Sequence, residues 1–215
     1  MKIFRSVFIV FLLLSGTVAA ESPRLGCDIV KPSVGPYDYT RYDKETRKMV
    51  SLIEHNHFNS NVETLTKGQT GYDIMGDLDF VLRHIPNHHR ALFSMAKYRL
   101  RYKDKLDDFS QAECYFERAI RFSPRDVIVR QVYATYLHRA GKLGKAEEKY
   151  KEVLKASPKA SEVHYNLGLL YFNQGKHDLA LSHGRQAYEL KYPLQGLKKM
   201  LKNAGVWDRE VSTTQ

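Results

Sequence analysis

The chain has few of the residues and motifs that carry catalysis. Its 215 residues include two cysteines and one tryptophan. It contains no Gly-x-Ser-x-Gly nucleophile motif, no phosphate-binding loop and no His-Glu-x-x-His zinc motif. Its carboxylate pairs Asp107-Asp108 and Glu147-Glu148 fall at positions predicted to lie in a loop or on a solvent-facing helix surface. The sequence therefore predicts a protein that is not an enzyme and carries no cofactor.

Long apolar runs are also scarce, and the clearest one lies at the N-terminus. Residues 7–14 are apolar, they follow a basic start at Lys2 and Arg5, and the small residues Ala19-Ala20 end the segment. This order is typical of a secretory signal peptide, which we predict at residues 1–20. The apolar run is short for a bilayer span, and an uncleaved anchor is the alternative. We expect no stable membrane insertion after cleavage.

Export would place the mature chain in an oxidising compartment. We expect the periplasm, with secretion or a lipid anchor at Cys27 as alternatives; Arg24 stands where lipidation favours an aliphatic residue. Cys27 and Cys114 both remain after cleavage, and two cysteines allow one intramolecular disulfide. We predict that this bond ties an extended leader to the helical region. Two free thiols, or an intermolecular bond, are the alternatives.

Acidic residues are in the minority, 24 against 34 basic ones, for a net charge of +10. Loss of residues 1–20 removes two basic residues and no acid, which lowers the charge to +8. Acids are interleaved with the bases and no groove-reading motif is present, so we expect no nucleic-acid partner. A basic face that associates with anionic lipid or glycan at the envelope surface is an alternative function.

Small residues recur at a regular distance from residue 96 onward. The spacing between corresponding residues of the last two units is 34, and a proline follows each unit, at Pro158 and Pro193. A polar insertion at residues 103–110 lengthens the first unit. Repeats of this period indicate stacked helix pairs, in which small residues allow close helix approach. The small residues are Ala96 and Ala112, Ala134 and Ala146, and Gly168 and Ala180.

These residues resemble the tetratricopeptide repeat (TPR) family. In the last unit, Leu167-Gly168-x-x-Tyr171, Gly175, Ala180 and Ala187 match its pattern, while Gly184 replaces a usual aromatic residue. The resemblance covers residues 90–193 and also looks like an exported bacterial TPR-containing protein. It implies an all-α, TPR-type solenoid of stacked antiparallel helix pairs, with a capping helix at each end, that binds proteins or peptides.

The resemblance and the composition divide the chain into regions. Residues 194–207 have one apolar face and a basic remainder, which predicts a capping helix, with a membrane-surface helix as the alternative. The predicted regions are a signal peptide (1–20), an extended leader (21–44), an N-terminal helical region with a degenerate half-repeat (45–89), three repeats (90–126, 127–160 and 161–193), a C-terminal capping helix (194–207) and a loose tail (208–215).

In the family, the first helix of each pair lines a concave groove. When these groove positions are carried over to the present sequence, the resemblance implies a groove that is basic at one end and lined by amides and aromatic rings at the other. Such a groove suits an extended or helical segment of another envelope protein. The implied binding residues are Arg90, Phe93, Lys97 and Arg101 in the first unit, Gln131, Thr135, His138 and Arg139 in the second, and Tyr165, Asn166, Leu169 and Asn173 in the third.

Histidines cluster before the first repeat, which raises a remote metal-handling alternative. His55 and His57 are two residues apart and do not share a helix face, and Pro86 separates His84 from His88. No cysteine or carboxylate completes a recognisable ligand set in the sequence. We therefore predict that these histidines pack and cap, and that the chain holds no metal.

Overall fold

The computed structural model describes residues 32–71, 73–103 and 109–209, which form ten helices and no strand. The predicted all-α solenoid is confirmed for this part of the chain. The predicted signal peptide at residues 1–20 and Cys27 lie outside the described residues. In chain order the helices are α1 (Lys44–His57), α2 (Ser60–Thr64), α3 (Ile74–His84), α4 (His89–Arg101), α5 (Ala112–Phe122), α6 (Val127–Arg139), α7 (Leu143–Ala156), α8 (Ser161–Asn173), α9 (His177–Glu189) and α10 (Gly196–Asn203).

Helices α4 to α9 form three stacked pairs, α4 with α5, α6 with α7 and α8 with α9. All six of the small residues that define the repeat are buried. Their size allows close contact: a Cβ atom added to Gly168 of α8 would lie only 3.3 Å from the carbonyl oxygen of Ala180 in α9. A larger side chain at either position would therefore push the two helices apart.

Glycines and a side-chain cap set the ends of these helices. Gly141 and Gly175 follow α6 and α8 with φ of 75° and 71°, a left-handed conformation that glycine adopts without steric cost. At the start of α6, the Asp126 carboxylate accepts hydrogen bonds from the backbone N–H groups of the first turn. The glycines end α6 and α8 and the cap begins α6, so the chain reverses between helices and successive helices pack side by side.

Large side chains fill the space between successive pairs. The rings of Phe116 in α5 and Tyr133 in α6 stack with centroids 4.7 Å apart. Between the next pairs, the Tyr171 hydroxyl of α8 donates to Glu147 of α7 at 3.0 Å. The core is therefore continuous along the array, as stacked repeats require for stability.

A short segment before α1 is fixed across the first two pairs. Residues 37–39, here called the strap, run beside the turn between α3 and α4. The Tyr39 backbone N–H donates to Asn87 Oδ1 at 3.0 Å. Asn87 is fully buried, and its Nδ2 donates to Asp38 at 2.7 Å and to Asp126 at 3.0 Å. One amide side chain thus joins the strap, the turn before α4 and the turn before α6.

The last helix packs against the third pair. Leu197 and Leu201 of α10 are fully buried against α8 and α9. After α10 the chain folds back, and the Trp207 ring contacts the Tyr188 ring edge-on at 5.6 Å between centroids. The apolar face of α10 is consequently occupied by the protein itself. The exact division of the chain into leader, caps and repeats stays a prediction.

Candidate functional site: the concave groove

A concave groove lies over α6 and α8, the first helices of the second and third pairs. Its volume is about 800 Å³. The segment after α9 forms one wall, because the chain reverses at Lys191 and carries the following residues over α8. The lining residues are Phe93 from α4; Ile128, Gln131, Val132, Thr135, His138 and Arg139 from α6; Tyr150 from α7; Glu162, Tyr165, Asn166, Leu169 and Asn173 from α8; and Tyr192 and Leu194.

The end of the groove near the start of α6 and α8 is apolar and aromatic. The rings of Tyr165 and Tyr192 lie against each other, with centroids 4.6 Å apart. Three large apolar side chains of this region remain partly open to solvent: Phe93 is 40% exposed, Ile128 44% and Leu194 55%. A solvent-open cluster of this kind inside a concavity favours contact with an apolar group of another molecule.

The floor of the groove is held by polar contacts between its own helices. Gln131 Nε2 donates to the Glu162 carboxylate at 2.7 Å, which joins α6 to α8. The Thr135 hydroxyl donates to the Gln131 carbonyl at 3.0 Å and accepts from the Tyr150 hydroxyl at 3.4 Å. Burial raises the pKa of Tyr150 to about 12, so this phenol stays protonated at neutral pH.

The opposite end, near the C-termini of α6 and α8, is polar and carries a cation. Arg139 is exposed in the last turn of α6, and Asn173 is exposed at the end of α8. Burial, aided by the neighbouring Arg139 charge, lowers the pKa of His138. His138 is therefore neutral at pH 7, and Arg139 supplies the positive charge of this end.

Nine of the twelve implied binding residues line the groove, and three from the first unit do not. Arg90 forms a bidentate pair with Glu63 of α2, with Nε to Oε1 at 2.8 Å. Lys97 Nζ donates to the Glu63 carbonyl at 3.4 Å. Arg101 is exposed at the end of α4, away from the cavity. The start of the array is thus covered by α2, and the Arg90 charge expected at its basic end is paired with Glu63.

Sequence reasoning missed several lining residues. Ile128 and Glu162 occupy the same repeat position as Arg90, so the family pattern could have identified them. Tyr192 and Leu194 lie after α9, where no repeat position predicts an inward direction, and the reversal at Lys191 alone brings them to the groove. The omitted residues supply much of the apolar surface.

The histidines before the first repeat have structural contacts. His88 is buried, its Nδ1 accepts from the Ala91 backbone N–H at the start of α4, and its Nε2 lies 2.9 Å from Glu54. His57 contacts the buried Asp77 at 3.1 Å. Within the described residues, no three His, Cys, Asp or Glu side chains are grouped as a metal would require.

The described helices include none with the length and apolar character needed to cross a bilayer. The lysines of α10 face outward, and Lys198, Lys199 and Lys202 line a shallow depression. The Lys198 Nζ atom lies 5.0 Å from the centroid of the Trp207 ring. This basic surface is separate from the groove. It presents positive charge but not the apolar face of α10, because Leu197 and Leu201 are buried within the protein.

Cys114 lies in the first turn of α5, in the helix pair that the predicted disulfide would tie to the leader. Its expected partner Cys27 is outside the described residues, so the bond stays a prediction.

Comparison with known proteins identifies the repeat. Residues 99–161 and 134–191 each match a family model described as tetratricopeptide repeat. A search of curated proteins gave no match. The two matched segments include α6 and α8 and therefore the floor of the groove. Residues 99–191 are thus tetratricopeptide repeats, stacked as the spacing of their small residues predicts.

Proposed function

We propose that this protein is a non-catalytic adaptor or assembly factor that binds a segment of another protein in the groove. The observation that carries the proposal is the concavity of about 800 Å³ over two tetratricopeptide repeats, with solvent-open apolar side chains at one end. Repeats of this kind present extended concave surfaces whose usual role is protein binding.

The exposed apolar side chains supply the binding energy in this proposal. Covering one Leu- or Phe-sized side chain contributes roughly 1.5–3 kcal/mol. Phe93, Ile128 and Leu194 are each about half open to solvent, so a partner that covers all three gains a useful part of that energy. The interhelical bond between Gln131 and Glu162 fixes the floor before binding, which lowers the ordering cost.

The proposed setting is the bacterial cell envelope, with the periplasm first. Support comes from the signal peptide predicted at residues 1–20 and from the disulfide predicted between Cys27 and Cys114, which an oxidising compartment would allow. The partner in this setting is another envelope protein or a peptide segment of one.

Association of a basic face with anionic lipid or glycan is the alternative. It has the outward lysines of α10 in its favour. Because Leu197 and Leu201 are buried within the protein, such binding would depend on charge alone and should be lost by a few hundred millimolar salt. A metal-handling role is the remote alternative, and the contacts of His57 and His88 within the protein give it no support.

Two exposed leucines provide a matched test. Leu194 lies in the groove and is 55% exposed, whereas Leu179 lies outside it and is 46% exposed. Proteins crosslinked to wild type, Leu194→Glu and Leu179→Glu in envelope extract are compared by quantitative mass spectrometry. We expect specific partners to be lost with Leu194→Glu and retained with Leu179→Glu. Equal recovery by all three forms would exclude the groove as the binding site.

A further inference from the structure

We infer that the groove selects an extended peptide segment with a large apolar side chain at one end and a carboxylate three to five residues away, the carboxylate binding Arg139. This specificity rests on the proposed function, because it describes the ligand of the same groove. Three features of the groove support this specificity: the charges of Glu162 and Arg139 lie at opposite ends, the apolar cluster lies at the Glu162 end, and the amides of Asn166 and Asn173 are available to a ligand.

The two charged residues of the groove lie at opposite ends. Glu162 is in the first turn of α8, beside Tyr192. Burial and the negative charge of Glu162 both raise the pKa of Tyr192. Arg139 is in the last turn of α6, beside the neutral His138. Gln131 already donates to Glu162, whereas Arg139 has no carboxylate within ion-pairing distance in the part of the chain that the structure describes. The unmatched charge of the groove is therefore positive and sits at the Arg139 end.

The apolar cluster and Arg139 are separated by a defined length. Tyr165 is eight residues before Asn173 on α8, and Ile128 is eleven residues before Arg139 on α6. At about 1.5 Å per residue, this places the two ends roughly 12–17 Å apart. An extended peptide covers that distance in about three to five residues at roughly 3.3 Å each.

The amides of the groove favour an extended ligand over a helical one. Asn166 is partly exposed, Asn173 is exposed, and neither side chain makes a hydrogen bond to another described residue. An extended peptide presents free backbone N–H and C=O groups to such amides, whereas a helix has already bonded most of its own. The groove thus offers an apolar contact, backbone contacts and one cation in order along its length.

Selection from a displayed library of random 12-residue peptides tests this specificity on the full mature chain. Wild type is compared with Arg139→Glu and with Lys199→Glu, an exposed lysine on α10 that makes the same charge change outside the groove. We expect wild type and Lys199→Glu to enrich peptides with a large apolar residue and Asp or Glu three to five positions apart. Arg139→Glu should lose that preference and select Lys or Arg at the acidic position.

A second measurement separates the peptide specificity inferred here from the proposed function of the groove. One enriched peptide, labelled with fluorescein, is titrated with each variant by fluorescence anisotropy, with circular dichroism confirming the helix content. Arg139→Glu should weaken binding at least fivefold, and replacing the peptide acid by Lys should restore it. Peptides that lose binding to Leu194→Glu but show no acidic preference would overturn this specificity and leave the proposed function standing. Absence of any groove-dependent peptide would overturn both.

Discussion

Substitution of Gly168 by alanine tests the packing on which the third repeat depends. An added Cβ would lie 2.4 Å from Leu197 Cδ2 of α10, 3.3 Å from the Ala180 carbonyl oxygen and 3.4 Å from the Gly184 backbone nitrogen of α9. Leu197 is fully buried, so its methyl group must move within the packed core and cannot turn out into solvent. The substitution therefore forces α8, α9 and α10 to shift relative to one another.

The expected cost is the difference between two opposing effects. Glycine to alanine inside a helix gains about 1 kcal/mol through helix propensity. Overpacking a filled core costs roughly 1–3 kcal/mol, and the short contact with Leu197 places Gly168→Ala toward the upper end. We expect a net loss of about 1–2 kcal/mol in the free energy of unfolding. Each kcal/mol lowers the Tm of a domain of this size by about 2–4 °C.

Two other glycines provide the controls. A Cβ on Gly144 in α7 would meet nothing within 4 Å, whereas one on Gly184 would lie 3.1 Å from Leu201 Cδ1 and 3.3 Å from Leu197 Cδ2. Urea unfolding followed by circular dichroism should rank Gly144→Ala as neutral or slightly stabilising, Gly184→Ala as intermediate and Gly168→Ala as most destabilising.

A double-mutant cycle isolates the contact itself. Leu197→Ala alone leaves a cavity and should cost about 2–5 kcal/mol. Combined with Gly168→Ala, it should cost less than the sum of the single changes by about 1 kcal/mol or more, because the added methyl group then has room. Additivity within about 0.3–0.5 kcal/mol, or stabilisation by Gly168→Ala comparable to Gly144→Ala, would refute the packing argument.

Two further outcomes follow from buried polar groups. Burial, aided by the neighbouring His164, lowers the pKa of His183 to about 4, and the two Nδ1 atoms lie 3.0 Å apart. Since the unfolded state then takes up the proton first, the free energy of unfolding should fall by about 2 kcal/mol between pH 7 and pH 5. His183→Gln should remove this part of the pH dependence in urea titrations, and an unchanged slope would contradict the assignment. Asn87→Ala removes a donor from the buried Asp126 and an acceptor from the Tyr39 N–H, so we expect a loss of about 2–3 kcal/mol and faster hydrogen exchange at Tyr39. Thr40→Ala, which removes only an exposed bond to Asp38, is its control, and equal effects would show that the Asn87 bonds are not what holds the strap.

The stacked helix pairs could be predicted because their constraint is local and periodic. Ala134 and Gly168 occupy the same position in successive units, and a helix pair packs closely only if that side chain is small. A spacing of 34 residues therefore identifies the repeat without knowledge of any long-range contact. The family match over residues 99–191 agrees with that prediction.

The candidate site was less accessible to sequence reasoning because its limits depend on contacts between distant segments. Glu63 pairs with Arg90 across 27 residues of chain, and no pattern around either residue indicates this pair. Leu194 enters the groove through the chain reversal at Lys191, which has a left-handed φ of 65° although it is not a glycine. Repeat positions identify which helix face turns inward, but non-repeat segments determine how much of that face stays open.

The strap gives the two ends of the array unequal resistance to fraying. A simple repeat array can unzip from either terminus, since each unit contacts only its neighbours. At the amino end, Asn87 joins three separate segments through buried bonds, so unzipping there must break all of them together. The carboxyl end is held by the eight-residue α10. Thermal opening should therefore start at the carboxyl end, where loss of α10 would also loosen the groove wall formed by Tyr192 and Leu194.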